Sequence, residues 1–426
     1  MHKSCFEKAL QYTSPAHGSW GMVRIGMSVP ESFQIFFAPA ACGRHGAISA
    51  VMQGYRDRLA YYFLEEKDIV SGGYEAQIFD AVEMVLKRAK KKPKAMLLFV
   101  TCIDDLLGTD LEALTLDLND RFEGIDFTFC HMDPIRNDSK LPPAHNIHQQ
   151  MYRLLKEKET KKNSVNCIGN LMPVNADCEL YTVLQYMGID KVNHILQSGD
   201  YAGFQEMAAA CCNLMIAPTG AAAVKRMKQD LNIPFLDLCV SYDLDIIAKQ
   251  YETLQQMFAE DISAENAEKI DTLLSFMRRQ AEEEIRKTKE LLGDIPIYID
   301  MSAVIRPYEL ARFLHRQGFA IEGIFAENPA GAQEEALQQL LEECPDLKIM
   351  MPQHPKIMQR EEELCETFSI GFEAAYITQS RYVLNLFFDE EMFGYYGLIR
   401  MMQLMRECYE HPTTLQELLD SYGLVV

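Results

Sequence analysis

The sequence predicts an α/β protein made of three tandem Rossmann-like domains, each a parallel sheet flanked by helices. Short apolar runs alternate with amphipathic helical patterns along almost the whole chain, as is typical of parallel sheets that are covered on both faces. At 426 residues the chain is too long for one hydrophobic core. The alternation restarts near Val165 and again near Ile295. We therefore expect domains over 1–163, 164–290 and 291–426.

The predicted strands are short, mostly apolar runs, and helical patterns lie between most of them. The strands are Phe33–Ala38, Met96–Thr101, Phe127–Cys130, Val165–Ile168, Leu214–Ala217, Phe235–Val240, Ile295–Ile299, Ile321–Phe325 and Leu347–Met351. The helices include Tyr74–Lys92, Glu179–Met187, Gly220–Leu231, Tyr308–Gln317 and Glu334–Glu343.

A longer helix is predicted from Ser263 to Leu292, where the chain is highly charged and lacks proline and glycine. Its apolar residues recur on one stripe. Oppositely charged pairs four residues apart support the helix; they are Glu265/Lys269, Glu282/Arg286 and Glu283/Lys287. We interpret this segment as a solvated helix that joins the second and third domains, with contact to another subunit as the alternative.

The net charge of −21 argues against nucleic acid and anionic membrane surfaces as partners. The chain has no apolar run of transmembrane length and no signal-peptide pattern at its start. We therefore expect a cytoplasmic protein. The basic run Lys87–Lys92 is predicted to close a helix before Pro93, where positive charge complements the helix dipole. Docking of an acidic partner is the alternative interpretation.

Twelve cysteines are present, but no CxxC pair, which argues against a zinc ribbon or a thioredoxin-type motif. Free cysteine is commonly buried, so we expect most of these thiols in the core. The expected core thiols are Cys167, Cys178, Cys211, Cys212, Cys239, Cys344, Cys365 and Cys408.

Cys42 and Cys102 differ from these, since each follows a predicted strand and precedes a helical stretch. Sites in open parallel sheets form beyond the carboxyl ends of the strands, and Cys5 could return to the same cleft. Thiolates are the usual ligands of iron–sulfur clusters, and three of them suit a cluster completed by another subunit. Burial in the core and nucleophilic catalysis by Cys42, with His45 nearby, remain as alternatives.

Several motifs resemble those of the nitrogenase component 1 family. Thr101–Asp110 (TCIDDLLGTD) is similar to the family's "(T/E)C…IGDD" signature, and Pro39–Gly43 resembles its "GPxGC" element. Further similar elements follow in the same order through all three domains. They are Asn166–Asn170, Leu184–Gly188 with Gly199-Asp200, Asn213–Ala217, Asn232–Phe235, Asp294–Asp300, Glu309–Phe313 and Gly394–Gly397.

This resemblance implies a homo- or heterodimer of three-domain subunits. Cysteines from two subunits would hold an interfacial iron–sulfur cluster, either [4Fe-4S] or P-cluster-like [8Fe-7S]. An ATP-dependent iron–sulfur reductase would deliver electrons to it. Cys42 and Cys102 match the family's second and third cluster cysteines. Cys5 would be the first, although it lies further upstream than is usual.

Two departures from the family pattern argue against dinitrogen reduction. Ala217-Pro218 stands where the dinitrogen-reducing subunit has a cofactor-binding cysteine, and Asp389–Phe393 stands where it has a histidine. We therefore expect no nitrogenase-type active-site metal cofactor. The chain also lacks GxxxxGK[ST] and GxGxxG, so ATP is expected only on the partner reductase.

Polar residues after two strands are candidates for binding substrate or donating protons. His131, Arg136 and His145 follow a strand of the first domain, and His354 follows one of the third. The predicted function is an anaerobic electron-transfer enzyme that reduces an unidentified small molecule or tetrapyrrole-like macrocycle. The alternative is a non-catalytic subunit that acts as a scaffold, assembles a cofactor or relays electrons.

Overall fold

The structure is a computed structural model and describes residues 21–40, 50, 54–70, 73–132, 143–327, 329, 332–354, 357 and 366–421. Three parallel sheets flanked by helices confirm the predicted α/β class. Within the described residues no helix is both long enough and apolar enough to cross a membrane.

The three sheets follow one another along the chain, and all their strand pairs are parallel. The first sheet has the order β2-β1-β3-β4, the second β6-β5-β7-β8 and the third β11-β10-β9-β12-β13. The strands are β1 Ser32–Ala38, β2 Leu59–Phe63, β3 Ala95–Val100, β4 Asp126–His131, β5 Lys161–Ile168, β6 Lys191–Asn193, β7 Ala210–Met215, β8 Phe235–Asp237, β9 Ile297–Asp300, β10 Ile321–Phe325, β11 Lys348–Met350, β12 Phe368–Ile370 and β13 Tyr382–Leu384.

Helices of the described residues lie in most of the connections between successive strands, as parallel pairing requires. They are α1 Gly21–Met27, α2 Glu66–Val70, α3 Tyr74–Arg88, α4 Cys102–Leu107, α5 Leu111–Arg121, α6 Pro143–Tyr152, α7 Glu179–Tyr186, α8 Tyr201–Gln205, α9 Ala221–Leu231, α10 Leu244–Met257, α11 Ala264–Leu292, α12 Pro307–Arg316, α13 Ala332–Glu343, α14 Phe372–Thr378, α15 Gly394–Glu410 and α16 Leu415–Ser421.

The chain divides into two compact units. One contains the first and second sheets and is formed by the described residues of Ser19–Pro173 and Asp190–Asp237. The other contains the third sheet and is formed by Val174–Ile189 and the described residues from Leu238 onwards. The three domain ranges expected from the sequence stay a prediction.

Every predicted strand has a counterpart in the structure, whereas β2, β6, β12 and β13 were not predicted. Three of these four are only three residues long, which is too short for a hydrophobic period to show. The fourth, β2, is an edge strand whose side chains are half-buried or exposed. The tertiary pairing therefore defines these strands.

The long helix α11 confirms the predicted helical segment. The Ser263 hydroxyl accepts the Asn266 N–H at 3.1 Å and caps the first turn. The helix packs with its buried stripe against α7 and α15 within the same unit. The predicted Glu282/Arg286 pair is wrong. Arg286 pairs instead with Glu283 and Glu290, and Glu282 pairs with Arg278, because several partners lie within one helical turn of each charge.

The helix α3 ends at Arg88, four residues before the predicted end at Lys92. Ala89 has an extended conformation (φ −63°, ψ 127°) and its N–H donates to the Val85 carbonyl. Only Lys87 and Arg88 therefore lie in the last turn, where they face the negative end of the helix dipole. The remaining lysines of the basic run belong to the connection to β3.

Candidate functional site

Two predicted site residues lie at the carboxyl edge of the first sheet. Cys102 is the first residue of α4, two residues after the end of β3. His131 is the last residue of β4 and is paired with Val100 in the parallel register. Both side chains are half-buried. The structure therefore brings the chain segments that carry Cys102 and His131 to one edge, as expected for a site of this fold.

The end of β1 lies at the same edge. Phe36 pairs with Phe99, so β1 and β3 end side by side and β1 leads on to Pro39 and Ala40. The predicted ligands Cys42 and Cys5 and the predicted substrate residue Arg136 lie outside the described residues.

A buried carboxyl group lies on the helix that carries Cys102. The side chain of Asp104, only 2 % exposed, lies near the Tyr74 hydroxyl at the start of α3. Burial, together with this neighbouring carboxyl, raises the pKa of Tyr74. The Asp104 N–H donates to the Thr101 carbonyl, and the Gly108 N–H donates to the Asp104 carbonyl, both at 3.1 Å. The two backbone bonds close the turns of α4, and the Asp104 carboxyl lies beside Tyr74 of α3.

The chemistry of Cys102 fits an iron–sulfur ligand better than that of the core thiols. Cys130 and Cys167 are buried in strands, and burial raises the pKa of the Cys167 thiol to about 12, which disfavours the thiolate that metals bind. Cys102 is half-buried at the sheet edge. Within the described part of the chain, no group of three or more histidine, cysteine or acidic side chains could hold a metal ion.

The other predicted core thiols show two environments. Cys178, Cys212 and Cys239 are buried, as expected, and Cys365 lies outside the described residues. The half-buried ones are Cys211, Cys344 and Cys408.

His145 lies in the first turn of α6 and is half-buried. Burial lowers the pKa of His145, so its imidazole is neutral near pH 7. It can then donate one hydrogen bond and accept another. The next residue, Asn146, was missed by the sequence analysis. Its Oδ1 accepts the His131 N–H at 3.1 Å and ties the end of β4 to α6.

His354 belongs to the other compact unit, four residues after the end of β11. Its side chain is half-buried, and its N–H donates to the Met351 carbonyl at 3.0 Å. Cys102, His131 and His145 share the unit of the first two sheets.

Two of the family-like motifs meet inside the second sheet. Asn166 on β5 is paired in register with Asn193 on β6 and Asn213 on β7. The Asn166 amide donates to Asn213 Oδ1 at 2.8 Å, and the Asn193 amide donates to Asn166 Oδ1 at 2.9 Å. All three side chains are buried. These asparagines are therefore a structural ladder that satisfies polar groups inside the sheet.

The departure at Asp389 also has a structural role. This buried carboxylate accepts the Tyr242 hydroxyl and, at 2.7 Å, the Ile305 N–H. Burial raises the pKa of Asp389 to about 6. The residue adopts the left-handed conformation (φ 54°), which asparagine and aspartate tolerate better than most residues. The segment is thus held by its own protein contacts.

The sequence from residue 18 to 406 matches the model of the nitrogenase component 1 type oxidoreductases. Since this is most of the chain, the protein belongs to that family. Members of the family generally bind iron–sulfur clusters and form multimers served by an ATP-dependent iron protein.

One curated relative is the nitrogenase iron–molybdenum cofactor biosynthesis protein NifE of Clostridium pasteurianum, 23 % identical over 223 residues. The match covers 49 % of this chain and 46 % of the relative, so the chain spans about half the length of that protein. Two solved structures, nitrogenase Cp1 at pH 6.5 and at pH 5, share the fold, with TM-scores of 0.68 and 0.61. They are 13 % and 15 % identical to this chain, covering 96 % and 95 % of it and 94 % and 91 % of their own chains.

Proposed function

We propose that this chain is a subunit of a nitrogenase-like oxidoreductase that shares an iron–sulfur cluster with a second, homologous subunit. An ATP-dependent iron–sulfur reductase would supply the electrons. The observation that carries this proposal is the position of Cys102. It lies in its family-like motif, half-buried at the carboxyl edge of the first sheet and beside the end of the strand that leads to Cys42.

Sequence position supports Cys42 as a companion ligand. Cys42 follows the end of β1 by four residues in the sequence, and β1 ends beside β3, which leads to Cys102. Cys5 is proposed as the third ligand. When bound, the cluster would accept and pass on single electrons, and thiolates are its usual ligands.

The substrate would bind near this edge, where His131 and His145 lie and where Arg136 follows in the sequence. Because His145 is neutral near pH 7, it would hydrogen-bond a reacting group rather than hold a positive charge. His354 of the third sheet is the further candidate. We propose an unsaturated small molecule or a tetrapyrrole-like macrocycle as the substrate.

The two departures from the dinitrogen-reducing pattern support such a substrate. Ala217 and Pro218, which follow β7, carry no metal-ligating side chain. Asp389 directs its carboxylate to Tyr242 and Ile305. Neither position offers the soft thiolate or the imidazole of a nitrogenase-type cofactor site.

Iron analysis tests the cluster. The protein is co-expressed with its partner and a cluster-assembly system, purified without oxygen, and compared with two variants by iron and sulfide assays and electron paramagnetic resonance. Cys102→Ala should lose most of its iron. Cys344→Ala is the matched control, because its thiol is also half-buried but lies after α13 in the other unit, and it should keep its iron. Wild-type protein without iron, or equal iron in both variants, would refute the ligand assignment.

A second candidate function is a scaffold for cofactor assembly, which the name of the Clostridium relative favours. The two functions predict different behaviour once the reductase, with ATP, has reduced the cluster. A catalytic subunit should be reoxidised when a tetrapyrrole or acetylene is added, and product should accumulate. A scaffold should stay reduced with these acceptors and should instead retain an iron–sulfur precursor through gel filtration.

A further inference from the structure

A groove of about 640 Å³ lies between the first sheet and α3, within one compact unit. One wall is formed by β1 and β2, which present a common face because Ile35 pairs in register with Ala60. The other wall is α3, and the connection from α3 to β3 also lines the groove. The described lining residues include Phe33, Ala60, Tyr62, Met84, Val85 and Arg88. This volume falls within the roughly 300–1,000 Å³ that is typical of ligand-binding clefts.

The walls of the groove are apolar and accessible. Phe33, Tyr62 and Val85 are half-buried and pack against the core beneath the groove. Met84 is 50 % exposed. An occupant can therefore touch these side chains. Water finds few hydrogen-bond partners against such walls, whereas an apolar body gains by leaving water for them. The walls therefore favour an apolar occupant over water.

Cationic side chains lie around the mouth of the groove, at the amino ends of β1 and β2. The described charged residues of the lining are Arg58, Arg88, Lys90, Lys91 and Lys92, with Glu31 and Asp57 as the acidic ones. Five cations against two anions leave three positive charges in excess, on a chain whose net charge is −21. The C-terminus of α3 adds only about half a negative charge. The mouth should therefore attract an anion.

Two of these cations can bind a ligand. Within the described part of the chain, Arg88 has no hydrogen bond or ion pair. Lys90 pairs with Asp57 at 3.6 Å, but the two side chains are 92 % and 84 % exposed, and an ion pair of that kind contributes little. A ligand anion can replace Asp57 beside Lys90 at small cost.

The other three cations already have partners. Arg58 donates to backbone carbonyls of the segment before β1. Lys91 pairs with Glu31 at 2.6 Å, and Lys92 donates to the Glu123 carbonyl at 3.1 Å. These three side chains therefore shape the mouth and add to its positive charge.

We propose that this groove binds a single-chain organic anion, an apolar chain that ends in one carboxylate. The chain lies against Tyr62 and Met84, and the carboxylate lies at the mouth beside Arg88 and Lys90. A guanidinium matches a carboxylate in shape and can donate two parallel hydrogen bonds to it. The mouth is at the amino edge of the sheet, opposite the edge that carries Cys102, so the site does not depend on the proposed electron transfer.

Calorimetry with the full chain tests the ligand chemistry. Octanoate should bind saturably, and decanoate should bind about tenfold more tightly because two further methylenes leave water. Acetate carries the charge without the apolar chain and should give no saturable heat. The uncharged 1-octanol should bind about tenfold more weakly than octanoate, since it cannot use the cationic mouth.

Three variants test the position of the ligand. Arg88→Gln should weaken octanoate binding about tenfold and leave 1-octanol binding unchanged. Lys87→Gln is the matched control, because Lys87 precedes Arg88 on α3 but pairs with Glu83 at 3.4 Å and is not among the lining residues. It should change the affinity by less than about twofold. Met84→Glu places a second carboxylate in the apolar wall and should abolish octanoate binding.

The proposal is overturned if octanoate gives no saturable heat at millimolar concentration, which would mean that the groove holds water only. It is also overturned if acetate binds as well as octanoate, or if Arg88→Gln and Lys87→Gln bind octanoate equally well. Binding to vesicles of an anionic phospholipid without binding to octanoate would identify a membrane surface instead and would refute it too. Circular dichroism identifies any variant that fails to fold. Should Met84→Glu be one, the comparison of Arg88→Gln with Lys87→Gln decides the outcome.

Discussion

The hydroxyl of Tyr251 donates a 2.7 Å hydrogen bond to Oε1 of Glu179, which is buried at the start of α7. The same carboxylate accepts the backbone N–H groups of Tyr395 and Tyr396, at 2.7 and 3.0 Å. These two groups belong to the first turn of α15, where a negative charge complements the helix dipole. Glu179 therefore joins α7, α10 and α15 of one unit. The family-like motif at Gly394–Gly397 serves this junction.

Replacing Glu179 should destabilise this unit. In Glu179→Ala four donors lose their acceptor, among them the weakly donating Cys178 thiol at 3.6 Å. Each orphaned donor costs about 1–3 kcal/mol, so we expect the free energy of unfolding to fall by at least about 3 kcal/mol. Glu179→Gln keeps one acceptor oxygen and should lose less. Urea denaturation measures both. The exposed Glu268→Ala on α11 is the control and should stay within about 0.5 kcal/mol of wild type.

A substitution at Gly394 tests the same junction through a steric clash. Gly394 has a left-handed backbone (φ 58°), and a Cβ there would collide with Glu179 Oε1 and the Tyr251 hydroxyl. Gly188 is also left-handed (φ 80°), but a Cβ there would meet nothing within 4 Å. Gly188→Ala should cost only the backbone strain of about 1–2 kcal/mol. Gly394→Ala should lower the thermal midpoint clearly further, and equal shifts would contradict the assigned packing.

Asp389 should make stability depend on pH. Its pKa rises from an ordinary value of 3.8 to about 6 in the folded protein, so between these values the folded state binds the proton more tightly than the unfolded state. The free energy of unfolding therefore falls as pH rises through this window. Asp389→Asn removes this fall and suits the left-handed backbone. Between about pH 5 and 7.5, we expect wild type to lose about 1.4 kcal/mol relative to the variant in urea denaturation. If the free energies of unfolding of wild type and Asp389→Asn changed in parallel with pH, the raised pKa of Asp389 would be contradicted.

The asparagine ladder should be intolerant of an apolar side chain at its centre. Asn166→Leu removes the acceptor of Asn193 and the donor to Asn213, so we expect a loss of roughly 3 kcal/mol or more. Asn163 on the same strand is exposed and bonds only to Asp190 on the surface among the contacts described. Asn163→Leu should therefore change the free energy of unfolding by less than about 1 kcal/mol. A similar loss of unfolding free energy in both variants would show that the buried ladder stabilises the fold no more than a surface contact does.

Two aspartates of the Thr101–Asp110 motif should separate cluster positioning from simple stability. Asp104→Ala removes the buried carboxyl group of α4 that lies beside Tyr74. If this group positions Cys102, the iron content should fall even in protein that folds. Asp110 only caps α5, accepting the Ala113 N–H at 3.0 Å. Asp110→Ala should cost about 1 kcal/mol of stability but keep its iron. Equal iron in the two variants would show that Asp104 does not position Cys102.

Local chemistry explains why much of the fold could be predicted from the sequence. The buried strands such as β3 are continuous apolar runs, and α11 has a serine cap and one apolar stripe over many turns. Both signals come from neighbouring residues in the chain, where backbone geometry alone sets the period. Cys102 was found in the same way, because it directly follows such a strand.

Contacts between residues that are far apart in the sequence determined the features that the sequence did not predict. Nothing near Glu179 indicates Tyr251 or Tyr395, and nothing near Asn166 indicates Asn193, because each pair is formed only when separate elements pack. The sequence around His148 did not indicate its burial, which results from the packing of α6 against other elements. The sequence thus determined the class of fold, the family and the cysteine at the sheet edge. Only the tertiary structure decided which polar side chains are buried together, since burial depends on all the elements that exclude water from a site.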